Sequence, residues 1–383
     1  MKKIGIITLN GDFNYGNRLQ NFALQQILKK EGAEVDTIAV KRKKIDKLKH
    51  EFIYSHISTI ADIKFIIQKL IGKITPNSLR KRKVYKKMIN AKKDVIAPFS
   101  SEYISQKTVK QSEVADLNDK YDLFIAGSDQ VWNPNIISFD DTNFLGFADS
   151  HKKFSYSASF GVSEIPATPK KLRDHFRKSL TDFQYISVRE NAGKKIIKEL
   201  INVDVEVAPD PTLLLSKQEW MEFLKPEKYH ETPYLLVYFI SEPAKETWKQ
   251  IQCFAEAKGL KIIKIMGDSY DPKQQIVTPL DFIRSICFAE YVITDSFHSC
   301  VFSIVTNTPF FVYERSDGKG VSSRIDTLLQ TFGLEDTRVK IETPLLTVNP
   351  AYHFDQVNSV LMQEKKRGVE LIRKHILNNF VTD

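Results

Sequence analysis

Glycine is scarce in this chain. It accounts for 15 of 383 residues, about 4% where ~7% is usual. That excludes collagen-like and linker-dominated architectures. Cysteine is scarcer still. Cys253, Cys287 and Cys300 are far apart and show no CxxC spacing, so neither a disulfide framework nor a zinc framework is expected. The default compartment is a reduced cytoplasm, and Cys300 reads as a small packed residue. No run of ~18 apolar residues occurs, so no membrane-spanning helix is expected. The apolar run at Lys3–Leu9 is too short for a signal core, and no secretory leader is expected. Neither GxGxxG nor GxxxxGK[ST] is present, which leaves dinucleotide and P-loop readings without support. HxH, HExxH and paired-carboxylate patterns are also missing. No protein-held metal and no resident cofactor are expected.

Apolar residues make up 42% of the sequence, enough for substantial cores, and the length fits two domains. The formal net charge is +9, but it is unevenly spread. Residues 41–95 carry 17 Lys and Arg against Asp46, Glu51, Asp62 and Asp94, or +13, leaving −4 on the rest. No nucleic-acid recognition motif accompanies this segment and aromatics are not interleaved with its charges, so nucleic acid is not expected as a partner. It reads as a helical insertion, either simply solvated or set against an anionic membrane surface.

The pattern along the chain alternates. Lys3–Leu9 reads as a buried strand, Gly16–Lys30 as a helix with Leu19, Phe22, Ala23, Ile27 and Leu28 on one face, and Val35–Val40 as the next strand. Within the basic segment, Phe52–Ile74 and Asn77–Lys93 read as helices. Strands resume at Tyr121–Ala126, Lys153–Ala158 and Tyr185–Val188. A helix over Glu190–Leu200 follows, then Val205–Val207. A second alternation starts at Tyr234–Ile240 and runs through Lys261–Met266, Tyr291–Thr294 and Pro309–Tyr313, with helices between. The spacing predicts an α/β protein of two Rossmann-like domains facing a cleft. The expected units are 1–215, with the basic insertion at about 41–95, a linker at 216–232, a second domain at 233–345, and a tail at 346–383. That tail carries a basic amphipathic helix, read as crossing back to the first domain.

Ligands in such sheets bind beyond the carboxyl ends of strands, and polar motifs stand there. Asn10–Arg18 is a polar turn before a helix, able to offer backbone N–H groups to an anion or simply to be capped by Asn14. Gly127-Ser128-Asp129-Gln130-Val131-Trp132 follows an apolar strand, with Trp132 read as packing. Arg189, in Ser187-Val188-Arg189-Glu190, points toward the cleft or pairs with Glu190. Thr294-Asp295-Ser296-Phe297-His298-Ser299 joins a strand to a helix whose N-terminus favours anions. There His298 could meet a phosphate or shuttle a proton, or simply pack. Ser323 and Arg324 follow the glycine-containing stretch Asp317–Gly320.

Together with Asn14–Gln25 and Asp210-Pro211-Thr212-Leu213-Leu214, these stretches resemble, in order, the polysaccharide pyruvyl transferase family. The match has two departures: a small residue usually stands where Asn17 is, and Gly usually follows the His where Ser299 is. The resemblance implies a fold like GT-B glycosyltransferases and a reaction. Pyruvate moves from phosphoenolpyruvate, a co-substrate, onto two hydroxyls of a glycan or lipid-linked saccharide as a cyclic ketal, releasing phosphate. It implies donor binding by Arg189, Arg324, Ser296, His298, Ser299 and Ser323. His298 is the expected general acid or phosphate ligand, and Asp129 or Asp12 the expected group for a hydroxyl proton. Asn14, Tyr15, Gly16, Asn17, Ser128, Gln130 and Asp295 are expected around the acceptor or the cleft loops, with Asp295 orienting His298. The expected location is cytoplasmic, or peripheral on the inner face of the membrane. Two other readings use the same frame: a glycosyltransferase with a nucleotide-sugar donor, and a catalytically silent, membrane-associated scaffold in glycan assembly.

Overall fold

The computed structural model describes residues 1–41, 76–135, 141–166, 170–224, 232–268, 270–315 and 322–378. The helix expected at 52–74 and the loop at 317–320 lie outside the described residues.

Two parallel sheets organise the chain. The first has seven strands in the order β3-β2-β1-β4-β5-β6-β7: β1 (Lys3–Ile7), β2 (Glu34–Lys41), β3 (Gln106–Lys110), β4 (Leu123–Asp129), β5 (Lys153–Ala158), β6 (Ser187–Val188) and β7 (Glu206–Val207). The second has five, in the order β12-β11-β10-β8-β9: β8 (Tyr234–Tyr238), β9 (Lys261–Ile265), β10 (Tyr291–Thr294), β11 (Phe310–Tyr313) and β12 (Arg338–Val339). Each order reverses once, between β1 and β4 and between β8 and β10. Such reversals leave a crevice at the carboxyl ends of the strands. Strands β4, β5, β8 and β11 are buried at every position, as parallel strands covered on both faces must be. The α/β class of two Rossmann-like sheets is therefore the architecture observed.

Helix α1 (Tyr15–Lys30) starts where the Asn14 side chain accepts a hydrogen bond from the Asn17 amide at 3.0 Å, and it stops before Gly32, whose φ is +84°. Helix α2 (Pro76–Tyr103) extends ten residues past the end expected from the charge pattern and runs through Pro98. Packing explains the extension. Ile96 and Phe99 are buried, and Phe99 and Tyr103 pack on Phe22 of α1 at 5.7 and 5.9 Å. That apolar face outweighs the one hydrogen bond a proline removes. Strand β3 was not expected from the sequence. It is a polar edge strand, QKTVK, with its side chains mostly exposed, so it carries no buried alternation to read.

The remaining helices are α3 (Lys170–Thr181), α4 (Asn191–Ile201), α5 (Lys217–Phe223), α6 (Lys245–Lys258), α7 (Pro279–Cys287), α8 (Phe297–Thr306), α9 (Ser322–Phe332) and α10 (Phe354–Leu371), the last continuing as a wider helical turn over Ile372–Leu377. One apolar cluster joins the two sheets. Trp220 of α5 packs on Phe22 at 5.7 Å and on Phe302 of α8 at 5.2 Å. Tyr15 stacks on Phe282 of α7 at 4.8 Å. Burying each such ring stabilises by roughly 2 kcal/mol. Helix α10 bonds back to the first sheet: Arg367 donates to the Val207 carbonyl at 2.8 Å, Arg373 pairs with Glu31 at 2.5 Å, and Lys2 donates to the Leu377 carbonyl. No helix among the described residues is long and apolar enough to cross a membrane.

Candidate active site

The carboxyl ends of β4, β6, β7 and β10 bring the polar motifs together. Asp210, just beyond β7, is the centre. Its side chain is fully buried. Oδ1 accepts from the Thr212 amide at 2.9 Å and the Thr212 hydroxyl at 2.6 Å. Oδ2 receives Nη2 of Arg189 at 2.9 Å and the Ser128 hydroxyl at 3.2 Å, and it stands 3.6 Å from Nε2 of His298. The last distance is within ion-pair range but beyond a hydrogen bond. Burial pushes the Asp210 carboxyl up, but Arg189, His298 and Thr212 outweigh it and hold the group well below the usual carboxylate range.

Arg189 therefore pairs with Asp210, 21 residues later in the chain, rather than with the adjacent Glu190. Arg189 also donates to Ser128 through Nη2. Glu190 has a separate task. It accepts from the Phe160 amide at 2.9 Å, the Gly161 amide at 3.2 Å and the Ser159 hydroxyl at 3.1 Å, which fixes the loop after β5. Burial pushes its carboxyl up, against the pull of Arg324 and Arg189.

Both guanidinium groups lie near the Phe297 ring, with that of Arg189 5.1 Å and that of Arg324 5.7 Å from its centre. Arg324 is buried. Burial lowers its guanidinium to about 10, with repulsion from Arg189 next, while Glu190 and Asp129 oppose. Two like charges are thus held close with little solvent, a costly arrangement unless an anion joins them. Hydrogen-bonding atoms are left over for one. Nε and Nη1 of Arg189, Nε of Arg324, Nε2 of His298 and the hydroxyls of Ser299 and Ser323 are buried without hydrogen-bond partners. Arg189, Asp210, Phe297, Arg324, Thr327 and Arg367 line one recess.

His298 sits in the first turn of α8, behind the N-cap Ser296, whose hydroxyl accepts from the Ser299 amide at 3.4 Å. Its imidazole packs against Gly16 in the first turn of α1. Asp295 does not orient it, contrary to the sequence-based expectation. Both Asp295 oxygens are taken by the end of β8: Ile240 N–H at 2.5 Å, Ser241 N–H at 3.1 Å and the Ser241 hydroxyl at 2.7 Å. Asp295 thus ties the two loops that flank the reversal in the second sheet. Burial pushes its carboxyl up.

The first sheet's reversal carries a second polar cluster. Asp129 closes β4 with φ of +77°, an unusual backbone for a residue with a side chain. Its Oδ1 accepts from the Gln130 amide at 2.8 Å and its Oδ2 from the Asn17 side chain at 2.7 Å. Asn17 also donates to the Leu9 carbonyl at 2.6 Å and accepts from Arg18 at 2.9 Å. Buried Arg18 donates to Leu9 and Asn10 besides. Burial lowers its guanidinium to about 10, while Asp12 and Asp129 oppose. Both Asp129 oxygens are therefore engaged in holding the loop.

Three residues expected at the site, Asp12 for a hydroxyl proton and Tyr15 and Gln130 in the cleft loops, have other partners. Asp12 accepts from the Ser100 hydroxyl at 2.6 Å and so ties the first loop to α2. Tyr15 is fully buried, packed on Tyr238 and Phe282 with its hydroxyl accepting from the Val277 amide at 3.3 Å. It joins the two sheets and is not a surface for an acceptor. The Gln130 side-chain oxygen accepts from the Asn133 side-chain amide at 2.5 Å and lies where a side chain on residue 161 would stand. Asp210 is the residue whose place sequence reasoning quoted without a role. Its signal was available: it too stands just past the end of a short strand. Among the described residues no group of three or more His, Cys, Asp or Glu is placed to hold a metal ion.

Comparison with known proteins adds three findings. Among solved structures, the Staphylococcus aureus MnaA–UDP complex is 13% identical, with a TM-score of 0.49, over 100% of this chain and 98% of that one. The UDP-GlcNAc 2-epimerase of Neisseria meningitidis, bound to UDP-GlcNAc, is 9% identical with a TM-score of 0.45, over 96% of this chain and 100% of that one. No curated protein sequence matches the chain. The polysaccharide pyruvyl transferase family model matches residues 14–317, which takes in Asp129, Arg189, Asp210 and His298; the chain belongs to that family and is a transferase.

Proposed function

We propose that the protein transfers pyruvate from phosphoenolpyruvate to two hydroxyls of a sugar in a glycan or a lipid-linked saccharide, forming a ketal and releasing phosphate. One observation carries the reading: the buried guanidinium groups of Arg189 and Arg324 line one recess and keep hydrogen-bonding atoms without partners, as do the imidazole of His298 and the hydroxyls of Ser299 and Ser323 beside them in the chain. Phosphoenolpyruvate offers a carboxylate and a phosphate, which match such a set. Arg189 and Arg324 clamp the anion, and the first turn of α8 at Ser296–Ser299 faces the phosphate.

The chemistry then follows. His298 protonates the methylene carbon, which becomes the methyl group, and one sugar hydroxyl attacks the adjacent carbon. A second hydroxyl attacks the same carbon as the C–O bond to phosphate breaks. One hydroxyl proton restores the acid form of His298, and the other goes to the phosphate, which leaves with the bonding pair. Asp129 and Asp12, both engaged with loop groups, hold the shape of the acceptor side.

The +13 segment at 41–95 we assign to an anionic membrane surface that would carry the acceptor. Support comes from Lys83, Lys86, Lys87 and Lys93, all exposed on α2. Flotation with anionic liposomes tests this; deletion of 45–93 that leaves binding intact overturns it.

The main test is phosphate release by the full chain with phosphoenolpyruvate and a glycan acceptor. Arg189→Ala and His298→Ala should each remove most of it. Thermal stabilisation by nucleotide sugars, with none by phosphoenolpyruvate, would reverse the donor assignment.

A further inference from the structure

We infer that Phe13, Tyr85 and Lys92 form a subsite for the acceptor, and that its ligand is an uncharged stretch of saccharide. The inference rests on the reading above that a sugar receives the pyruvyl group, but its first test uses neither donor nor turnover.

Helix α2 supplies the argument. Tyr85, Met88, Lys92, Ile96 and Phe99 recur at spacings of three and four and so share one face. Met88, Ile96 and Phe99 are buried apolar residues, and Lys92 is as buried as they are. Packing alone does not call for an ammonium there. Its Nζ has no hydrogen-bond partner and lies over the Tyr15 ring, and a buried donor left so is costly. Lys83, Lys86, Lys87 and Lys93 of the same helix are exposed. A side chain kept at a cost in stability points to a ligand.

An aromatic pair stands two turns away on the same face, about 10 Å along the axis. Tyr85 is 41% exposed, and its ring meets that of Phe13 edge-on, with the centres 6.3 Å apart. Phe13 is half-buried and pressed on Gly11, where a β-carbon would collide with the ring. Between them in the chain, Asp12 accepts from the Ser100 hydroxyl at 2.6 Å, which ties this loop to α2. Burial deepens from Tyr85 through Phe13 to Lys92. Beside Lys92 is Tyr15, and the next residue, Gly16, is the one against which His298 packs. A saccharide stacked on Tyr85 therefore runs inward toward the reacting group.

The charges select hydroxyls over a second anion. Burial opposes the charge of Lys92, and Asp268, on the loop after β9, supports it. The Asp268 amide donates to the Ile240 carbonyl at 3.0 Å, which fixes that loop beside β8. An ammonium offset by a carboxylate, next to aromatic faces, suits the hydroxyls and C–H groups of a sugar. Arg189 and Arg324, two cations together, suit the anionic donor instead.

Saturation-transfer NMR on the full-length protein tests the subsite. The probes are the methyl glycosides of glucose, galactose, mannose and N-acetylglucosamine and their β-linked disaccharides. The wild type should give ring-proton signals from at least one probe. Tyr85→Ala and Lys92→Met should each lose most of that signal, and Tyr85→Phe, which keeps the ring, should retain it. Neither loss is a folding defect if thermal stabilisation by phosphoenolpyruvate stays at the wild-type level, as expected. In transfer assays both variants should raise the KM for the acceptor by about tenfold. Equal signals in the wild type and the two variants, or no signal from any probe, overturn the subsite. If phosphoenolpyruvate neither stabilises the protein nor reacts, while probe binding is lost in the two variants, the pyruvyl-transfer reading falls and the saccharide subsite stands.

Discussion

Gly16 lies so close to His298 that a β-carbon on residue 16 would stand 2.0 Å from Nδ1 of the imidazole. The two residues stand on helices that follow strands of different sheets. The first turn of α1 is thus the floor on which the ring of α8 rests, and its position depends on how the sheets meet. Gly16→Ala must displace the imidazole, because the colliding atoms belong to a buried ring. The expected result is a loss of about 100-fold in kcat with the circular dichroism spectrum unchanged. Wild-type turnover in that variant would show that the ring's position does not matter.

Arg189 does two things at once. Nη2 meets Asp210 and Ser128, while Nε and Nη1 have no partners. A lysine carries one nitrogen and cannot hold the carboxylate and still present a fork to a ligand. Arg189→Lys is therefore expected to raise the KM for phosphoenolpyruvate by about tenfold or more, with a smaller effect on the KM for the acceptor. Steady-state kinetics with each substrate varied in turn reads this directly. Equal changes in the two constants would argue against a donor clamp.

Among the lysines of α2 whose side chains are described, Lys92 is the exception. Its side chain is buried, its Nζ has no hydrogen-bond partner, and it sits 4.9 Å from the centre of the Tyr15 ring. Burial lowers its ammonium to about 8, against the pull of Asp268. The folded value lies below the ordinary value near 10.4, so between about pH 8 and 10 the unfolded chain binds more protons and stability rises with pH. Lys92→Met removes the buried charge. It should be the more stable protein at pH 7, by about 1–2 kcal/mol, and the gap should close toward pH 10. Urea midpoints at the two pH values measure it. A variant less stable than the wild type at pH 7 would mean that the ammonium's contact with Tyr15 is worth more than its burial costs.

Glu219 clamps three helices. From α5 it meets Lys30 of α1 and Lys365 of α10, each at 2.5 Å. Burial raises its carboxyl, but the two lysines and Ser216 outweigh this and bring it down to about 2. A depressed carboxylate contributes stability that is complete above its ordinary value and is lost as pH falls toward the folded one. The window is therefore about pH 4.5 down to 2. The groups are partly exposed, so salt screens them and the contribution is under about 1 kcal/mol. Glu219→Gln should unfold at a lower temperature than wild type at pH 6, with the difference vanishing near pH 2. A constant difference across that range would assign the effect to packing instead.

Much of the architecture was legible in the sequence because its signals are local. Apolar runs such as Lys3–Ile7 and Leu123–Ala126, separated by helical spacing, announce parallel strands whatever surrounds them. Polar residues directly after those runs, at Ser128, Arg189 and His298, mark the ends where ligands bind. The exceptions are also local in cause. Strand β3 is polar and lies at an edge, so nothing alternates. The end of α2 is decided by the packing of Phe99 and Tyr103 on Phe22, which overrides Pro98.

By itself the sequence determined the strand–helix alternation, the motifs at the strand ends and, through them, the family. These depend on residue type and spacing within a few turns of chain. Only the tertiary structure decided the partnerships. It gave Arg189 to Asp210 and not to its neighbour Glu190, and it set His298 between Asp210 and Gly16. It also turned Asp295 toward Ile240 and made Tyr15 a joint between sheets. The physical reason is that a buried charge must find the nearest available partner in space. In parallel sheets the nearest group in space follows a different strand, tens of residues away, and no spacing in the sequence reports that distance.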